Sequence, residues 1–426
     1  MIRTIYGANI RRGEVFPETE ETTDVSGIVS EIIENVRKNG DAALKEYTKK
    51  FDKAELESLI VTQEEIEEAF HEVEENYIRI LKTARDNIEN YHKRQIRSSY
   101  IISEEKGIVL GQKVIPMERV GLYVPGGTAA YPSTVLMNSV PAKLAGVSEL
   151  VMVTPPMKNG KVNPIILAAA KIGGVDTVIK TGGAQAVAAL AYGTESVPRV
   201  DKIVGPGNVF VQEAKKQVFG KVAIDMIAGP SEILIVADGT CDARIVAADM
   251  LSQAEHDRNS SAVLITTSED LAKGVTAELE RQIPLLPRAE IARESIDKNG
   301  RILIARGIEE AIDAANEIAP EHLELCLDNP FDFLDSIKNA GSVFLGKNCP
   351  EPLGDYYAGT NHVLPTLGTA RFSSPLSVDD FVKKTSFTYY TAEALDAVAE
   401  DIAYFAEQEG LSAHARSAMA RKTYRD

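Results

Sequence analysis

The chain has 426 residues, 44% of them apolar and 26% charged, the composition of a globular protein long enough for two or three domains. Lys+Arg 46 against Asp+Glu 63 gives a formal net charge of −17. Such a field repels phosphate backbones and anionic lipid heads, so nucleic acid and membrane surfaces are poor candidate partners.

In chain order, the opening "MIRTIYGANIRRGEVFPETE" has no apolar core of the signal-peptide type. Cys241, Cys326 and Cys349 show no CxxC spacing, and with that opening they predict a cytoplasmic protein with reduced thiols. Residues 17 to about 97 read as helical. Thr62 and Glu65 form a T-x-x-E capping box. After it, Ile66, Phe70, Val73, Tyr77, Ile80, Ala84, Ile88 and Tyr91 recur at intervals of three and four, the apolar stripe of one long helix. His71 and His92 flank that stripe as boundary-face residues.

The longest uncharged run, Gly121 to Ala142, has the length of a membrane span. It carries Pro125, Gly126, Gly127, Pro132 and Pro141, which predict turns and short elements instead. From residue 119 the apolar runs "RVGLYVPGG", "ELVMVTPP", "DTVIKTGG" and "KIVGPGN" begin about 26 to 30 residues apart, with alanine-rich or amphipathic segments between them. This is the βαβα rhythm of a parallel sheet covered by helices. A second set follows: "SEILIVAD", "SAVLITT", "RILIARG" and "GSVFLG".

The predicted fold class is α/β, with two Rossmann-like parallel-sheet domains, an N-terminal helical segment and a helical C-terminal tail. Residues 1–20 form an N-terminal segment, 123–234 a nucleotide-binding domain, 21–122 with 235–375 a discontinuous α/β domain, and 376–426 the tail.

Glycine turns close three strands of the first set: Gly126-Gly127, Gly182-Gly183 and Gly205-Pro206-Gly207-Asn208. Such turns let backbone amides approach a phosphate ahead of a helix N-terminus. Phe210 stands where the GxGxxG pattern needs its third glycine. A dinucleotide site of a non-standard kind and ordinary tight turns both fit.

Four short stretches hold four of the six histidines. In "SQAEH", Gln253 and His256 are three apart and share a face if the helix runs through them. "APEHLEL" sets Glu321 beside His322, a carboxylate and an imidazole suited to proton transfer. On a strand, however, neighbours point to opposite faces. "PEPLGDYYAGTNHVLPT" reads as a rigid loop bearing Asp355, Asn361 and His362, and functional groups concentrate on such loops. In "EQEGLSAHARSA", Glu409 and His414 flank a helix break at Gly410. A chain without paired cysteines must bind zinc through imidazole and carboxylate, and polar surface roles fit each stretch taken alone.

Taken together, "VGLYVPGG", "GGAQAVAALAYGT", "VDKIVGPGN", "GPSEILIVAD", "SQAEH", "APEHLEL", "GDYYAGTNHVLPT" and "EGLSAH" closely resemble the histidinol dehydrogenase family, from about residue 20 to the C-terminus. The resemblance implies oxidation of L-histidinol to L-histidine with two NAD⁺ through a held histidinaldehyde. It implies one zinc per subunit on Gln253, His256, Asp355 and His414, and Glu321 with His322 as the catalytic pair. Substrate contacts fall on Ser231, His362 and Glu409 as well as the zinc ligands and His322. NAD contacts fall on Tyr123, Gln185 and Asn208. A homodimer whose tail crosses to the partner is also implied, with Glu409 and His414 serving the other subunit's site. Pro352 and Leu353 depart from the smaller residues expected in that loop.

Three rival readings stand beside this one. Cys326 would form a thiohemiacetal, although "ELCL" alternates as a core strand does. A zinc hydrolase would use Glu321 as base. A nucleotide-sensing protein would bind without turnover.

Overall fold

In the computed structural model of the chain, residues 2–6, 12–15, 24–126 and 130–423 are described. Residues 17–23 of the expected helical stretch and Gly127 of the first glycine turn lie outside them. The chain divides into a first unit, Met1–Gln95 with Met117–Phe381, and a second, Ile96–Pro116 with Val382–Asp426. The strands are β1 Arg3–Tyr6, β2 Tyr100–Ile102, β3 Ile108–Pro116, β4 Arg119–Tyr123, β5 Glu149–Thr154, β6 Thr177–Lys180 and β7 Lys202–Val204. They continue as β8 Ala223–Ile224, β9 Glu232–Ala237, β10 Ser261–Thr266, β11 Arg301–Ile304, β12 His322–Cys326, β13 Ser342–Leu345 and β14 Val382–Tyr390. No helix among the described residues is long and apolar enough to cross a membrane.

The first unit holds two parallel sheets, as the two sets of apolar runs predict. One has the order β6-β5-β4-β7-β8 and the other β1-β11-β10-β9-β12-β13. Val151, Met152, Val153, Ile233, Leu234 and Ile235 are all inaccessible to solvent, because helices cover both faces of each sheet. Three of the crossover helices start on Asn or Asp side-chain caps. Asn163 accepts from the Ile165 N–H, Asn208 from those of Phe210 and Val211, and Asp242 from that of Arg244. The uncharged run supplies a further crossover helix, Pro132–Ala145, which starts on Pro132 without a side-chain cap and carries Pro141 buried inside it.

Several boundaries differ from the expectation. The apolar stripe after Thr62 spans two helices, Gln63–Glu72 and Glu75–His92, parted where Val73 adopts an extended backbone. Spacing of three and four continues across a break when both helices pack on one surface. The Thr62–Glu65 capping box is present as expected. His92 is fully buried rather than at a boundary. The helix Ser26–Phe51 packs through Val29, Ile33 and Leu44 into the core around Ala186, Val187 and Leu190, so it covers the five-stranded sheet. The grouping of residues 21–122 with 235–375 does not describe that packing.

The second unit is a three-stranded antiparallel sheet, β14-β3-β2, followed by the helices Ala392–Gln408 and Ser412–Thr423. β14 pairs with β3 over nine residues, from Val382 opposite Pro116 to Tyr390 opposite Ile108. The tail therefore opens as a strand and turns helical only after Thr391, which caps Ala394. Gly410, at φ 75°, makes the expected break between the two helices.

Candidate active site

The site grows from the beginning of β12. Glu321 precedes the strand and His322 opens it, so the alternation that would separate them does not apply. One residue of β9 grips both. The Glu232 N–H donates to Glu321 Oε2 at 2.9 Å, and the Glu232 carbonyl lies 3.0 Å from His322 Nδ1. Glu232 is itself anchored where its Oε1 accepts from Arg12 Nη2 at 2.6 Å and from the Leu367 N–H at 3.2 Å.

Around His322 Nε2 stand two carboxylates, Glu351 Oε1 at 3.7 Å and Asp355 Oδ1 at 3.8 Å. Asp355 Oδ1 also lies 3.9 Å from His362 Nδ1. Glu351 and Asp355 share one face of the short helix Glu351–Tyr356, four residues apart. Sequence reasoning missed Glu351, because Pro350 and Pro352 read as a loop. Proline is tolerated in a helix's first turn, and an E-x-x-x-D spacing was the available signal. Pro352 and Leu353 leave Asp355 in the cluster, and Leu353 is 37% exposed.

Gln253 lies in the last turn of the helix Ala243–Ala254, and His256 follows in a turn, its N–H donating to the Gln253 carbonyl at 3.1 Å. The two do not share a helix face as expected. Gln253 is 1% exposed, yet neither atom of its carboxamide has a partner among the described residues, and the same holds for His322 Nε2 and Glu351 Oε1. Four buried polar atoms without partners cost several kcal/mol together unless a ligand meets them, at about 1–3 kcal/mol each.

Burial dominates the electrostatics. It pushes Glu321 well above the usual carboxylate range, against the opposing bond from the Glu232 N–H. It lowers His322 and His362 to about 4 and also lowers His256. Glu351 and Asp355 are both raised, by burial and, for Glu351, by its neighbour Asp355. Neutral imidazoles beside crowded carboxyl groups form an N/O donor set whose carboxyls a cation would hold ionised, which suits zinc.

His362 is held by a network on the other sheet's helix. Its Nε2 lies 3.4 Å from Thr134 Oγ1, and the neighbouring Asn361 Nδ2 donates to the Met137 carbonyl at 2.8 Å. Asn361 Nδ2 also lies 3.3 Å from Nε2 of His92, whose Nδ1 donates to the Ile88 carbonyl at 2.9 Å. Ser231 immediately precedes β9, and its carbonyl accepts from the Ser261 N–H. Glu409 and His414 belong to the second unit and are exposed there, Glu409 at the end of one helix and His414 in the first turn of the next.

At the carboxyl ends of the five-stranded sheet lies a cleft of about 890 Å³ lined by Tyr123, Gln185 and Asn208 together with Gly126, Gly182 and Gly183. Tyr123 is 4% exposed and its hydroxyl accepts from the Gly183 N–H at 2.9 Å. Because the Asn208 carbonyl oxygen caps a helix, its amide N–H₂ remains to donate. Beneath the Gly205 turn, the buried Lys215 and Asp225 form an ion pair. Lys215 also donates to the Gly205 carbonyl at 3.0 Å, and Asp225 accepts from the Gly205 N–H at 2.7 Å.

The family model for histidinol dehydrogenase matches residues 17–422. The chain belongs to the histidinol dehydrogenase family. It is accordingly an NAD-dependent oxidoreductase that oxidises histidinol in histidine biosynthesis. The histidinol dehydrogenase of Clostridium acetobutylicum is 57% identical over 402 residues, covering 94% of this chain and 93% of its own. That of Bacillus cereus is 58% identical over the same length. The crystal structure of histidinol dehydrogenase from Elizabethkingia anophelis superposes with a TM-score of 0.95 at 39% identity, covering 100% of this chain and 99% of that one.

Proposed function

We propose that this histidinol dehydrogenase carries out both oxidations itself, taking L-histidinol to L-histidine with two NAD⁺ and holding histidinaldehyde between them. The observation that supports this is one buried cluster with an imidazole nitrogen, a carboxyl group of high proton affinity and four unpartnered polar atoms.

We assign one zinc per chain to Gln253, His256, Asp355 and His414. The first unit supplies three of these, and their donor chemistry and orphaned carboxamide fit the ion. When bound, zinc supplies a positive charge that grips the imidazole and amino nitrogens of the substrate. Ser231, His362 and Glu409 complete the substrate contacts. Exposed positions for Glu409 and His414 suit a homodimer in which each tail serves the partner's site. The cleft holding Tyr123, Gln185 and Asn208 receives NAD.

In the first oxidation, His322 Nε2 takes the hydroxyl proton while hydride leaves the same carbon for NAD⁺, giving aldehyde and NADH. An alcohol with a pKa near that of water, ~15.7, cannot first ionise fully to an imidazole, a cost of about 12 kcal/mol at the free value of ~6.5 and more with His322 lowered to about 4. The two transfers must therefore be coupled. In the second oxidation, Glu321 takes a proton from the water that adds to the aldehyde. Once His322 has passed its first proton to solvent, the gem-diolate gives hydride to the second NAD⁺ and its remaining hydroxyl proton to His322, leaving the carboxylate. The Glu232 N–H bonds the ionised form of Glu321, the form that works as a base.

Cys326 closes β12 where His322 opens it, four residues and about 13 Å away along the strand. Its thiol packs with Ile235 and Met250, and burial drives its pKa well up, which supports a packing role over the thiohemiacetal. The test supplies L-histidinol and NAD⁺ and follows NADH and histidine together. Two NADH per histidine with little free aldehyde is expected. One NADH with accumulating aldehyde would end the four-electron reading.

A further inference from the structure

The NAD cleft contains a carboxylate that neither the chemistry above nor the packing uses. Asp52 follows the last residue of the helix Ser26–Phe51, with its N–H bonded to the Thr48 carbonyl at 2.9 Å. A negative charge at a helix C-terminus faces the unfavourable end of the macrodipole. Its Oδ2 is shut off from water and has no hydrogen-bond partner among the described residues. Nothing in the packing of the helix calls for an acid there.

The side chain lines the same cleft as Tyr123, Gln185 and Asn208, and it lies near enough to Tyr123 to oppose ionisation of the phenol. Beside it in the cleft are Ile28, 54% exposed, and Phe51, 51% exposed. Large apolar groups left bare on a cleft rim suit a flat aromatic base. A planar base next to a lone carboxylate is the recognition chemistry of an adenosine.

We propose that Asp52 receives the diol of the adenosine ribose and is the residue that selects NAD over NADP, an inference that rests on this cleft being the NAD site. The two ribose hydroxyls donate to the carboxylate in charge-assisted bonds once the side chain turns Oδ2 from its closed position toward the cleft. A 2′-phosphate in the same place sets two or so negative charges against one in a partly dry site. Elsewhere among dinucleotide-binding domains an acidic residue does this work behind a GxGxxG turn. Here the chain lacks that turn, with Phe210 at its third glycine, and the acid comes from a helix outside the sheet. Lys50 and Lys158 also line the cleft and attract any phosphate. The choice between the two cofactors therefore falls to Asp52.

The experiment compares NAD⁺ and NADP⁺, by kcat/KM and by titration of the zinc-loaded enzyme with NADH and NADPH, in the unaltered chain, Asp52→Asn, Asp52→Ser and Asn208→Ala. Asp52→Asn should weaken NAD about tenfold or more, the size of a lost hydrogen bond to a charged group. It should tighten NADP, so that the preference falls about a hundredfold. Asp52→Ser should shift the preference the same way, and thermal melting of both variants checks that they fold. Asn208→Ala should weaken both cofactors alike. If Asp52→Asn and Asp52→Ser leave the preference within about threefold while Asn208→Ala still weakens binding, the role of Asp52 is refuted and the cleft stands. If none of the variants changes binding of either cofactor, the cleft itself is misassigned and the inference goes with it.

Discussion

His322 Nδ1 donates to the carbonyl oxygen of Glu232 across 3.0 Å. A carbonyl can only accept, so the ring proton is fixed on Nδ1 and the lone pair on Nε2. That nitrogen is buried without a partner and faces Asp355 and Glu351. The imidazole is oriented by a main-chain group that no side-chain substitution removes.

His322→Ala should therefore slow both oxidations by about 10² to 10⁴, the usual loss of a general base. Glu321→Gln should slow oxidation of supplied histidinaldehyde more than that of histidinol. Cys326→Ser should change neither by more than about threefold, as a packed thiol exchanged for a hydroxyl of similar shape. Loss of aldehyde oxidation in Cys326→Ser, with Glu321→Gln unaffected, would favour the thiohemiacetal.

Glu351 is predicted to support the metal without being one of its four ligands. Glu351→Gln keeps the shape and removes one of two crowded carboxylates, so zinc affinity should fall about 10- to 100-fold. Competition with a chromogenic chelator measures this. Unchanged affinity would leave Glu351 without a role at the centre.

Removing zinc should abolish turnover while NADH still binds the cleft. His256→Ala and His414→Ala should each lose metal and activity but retain far-ultraviolet circular dichroism. If the tail is exchanged, mixed dimers of these two inactive chains should regain partial activity, since one of their two sites has both ligands. No recovery on refolding the mixture would place His414 in its own chain's site.

Lys215 and Asp225 are each 1% exposed at their side chains and brace the Gly205 turn from below. Lys215→Met leaves a buried carboxylate unpaired, which costs about 3–5 kcal/mol. A lower melting temperature with weaker NAD binding is expected. A fall in stability alone would mean that the turn holds its shape without the pair.

Asp52 also carries a pH signature. Burial raises it from 3.8 to about 6, so between these values the folded chain holds more protons there than the unfolded chain. Stability thus falls as pH rises from about 4 to 6 on account of this group. Asp52→Asn removes the effect, so it should melt no lower than the unaltered chain at pH 4 and about 1–2 °C higher at pH 8, after allowance for solvent screening. Melting curves at both pH values test the sign, and a variant less stable at pH 8 would contradict it.

The parallel sheets were legible because each buried strand is a short unbroken apolar run between turn residues. The antiparallel sheet was not. β3 finds its partner β14 more than 260 residues later, and periodicity reports which face is buried but not what pairs with an edge. Within the site, the histidine-bearing stretches stood out because histidine is scarce in the chain. Glu351 and Glu232 passed unnoticed as ordinary acids, and His92 as a boundary-face residue. Each matters through a contact with a distant segment, such as His92 with Asn361.

The cleft proposed for NAD sits at the carboxyl ends of one sheet, whereas Glu321 and His322 stand at the beginning of β12 in the other, and Thr134 meets His362 where the two supports join. The proposed NAD cleft and the proposed catalytic pair thus have separate foundations. Substitutions that retune the cofactor and those that reshape the alcohol pocket should combine additively, except along the seam where Thr134 meets His362 and Met137 meets Asn361. For an engineer, cofactor preference and substrate range are two dials on this scaffold, and each can be turned while the other is left alone.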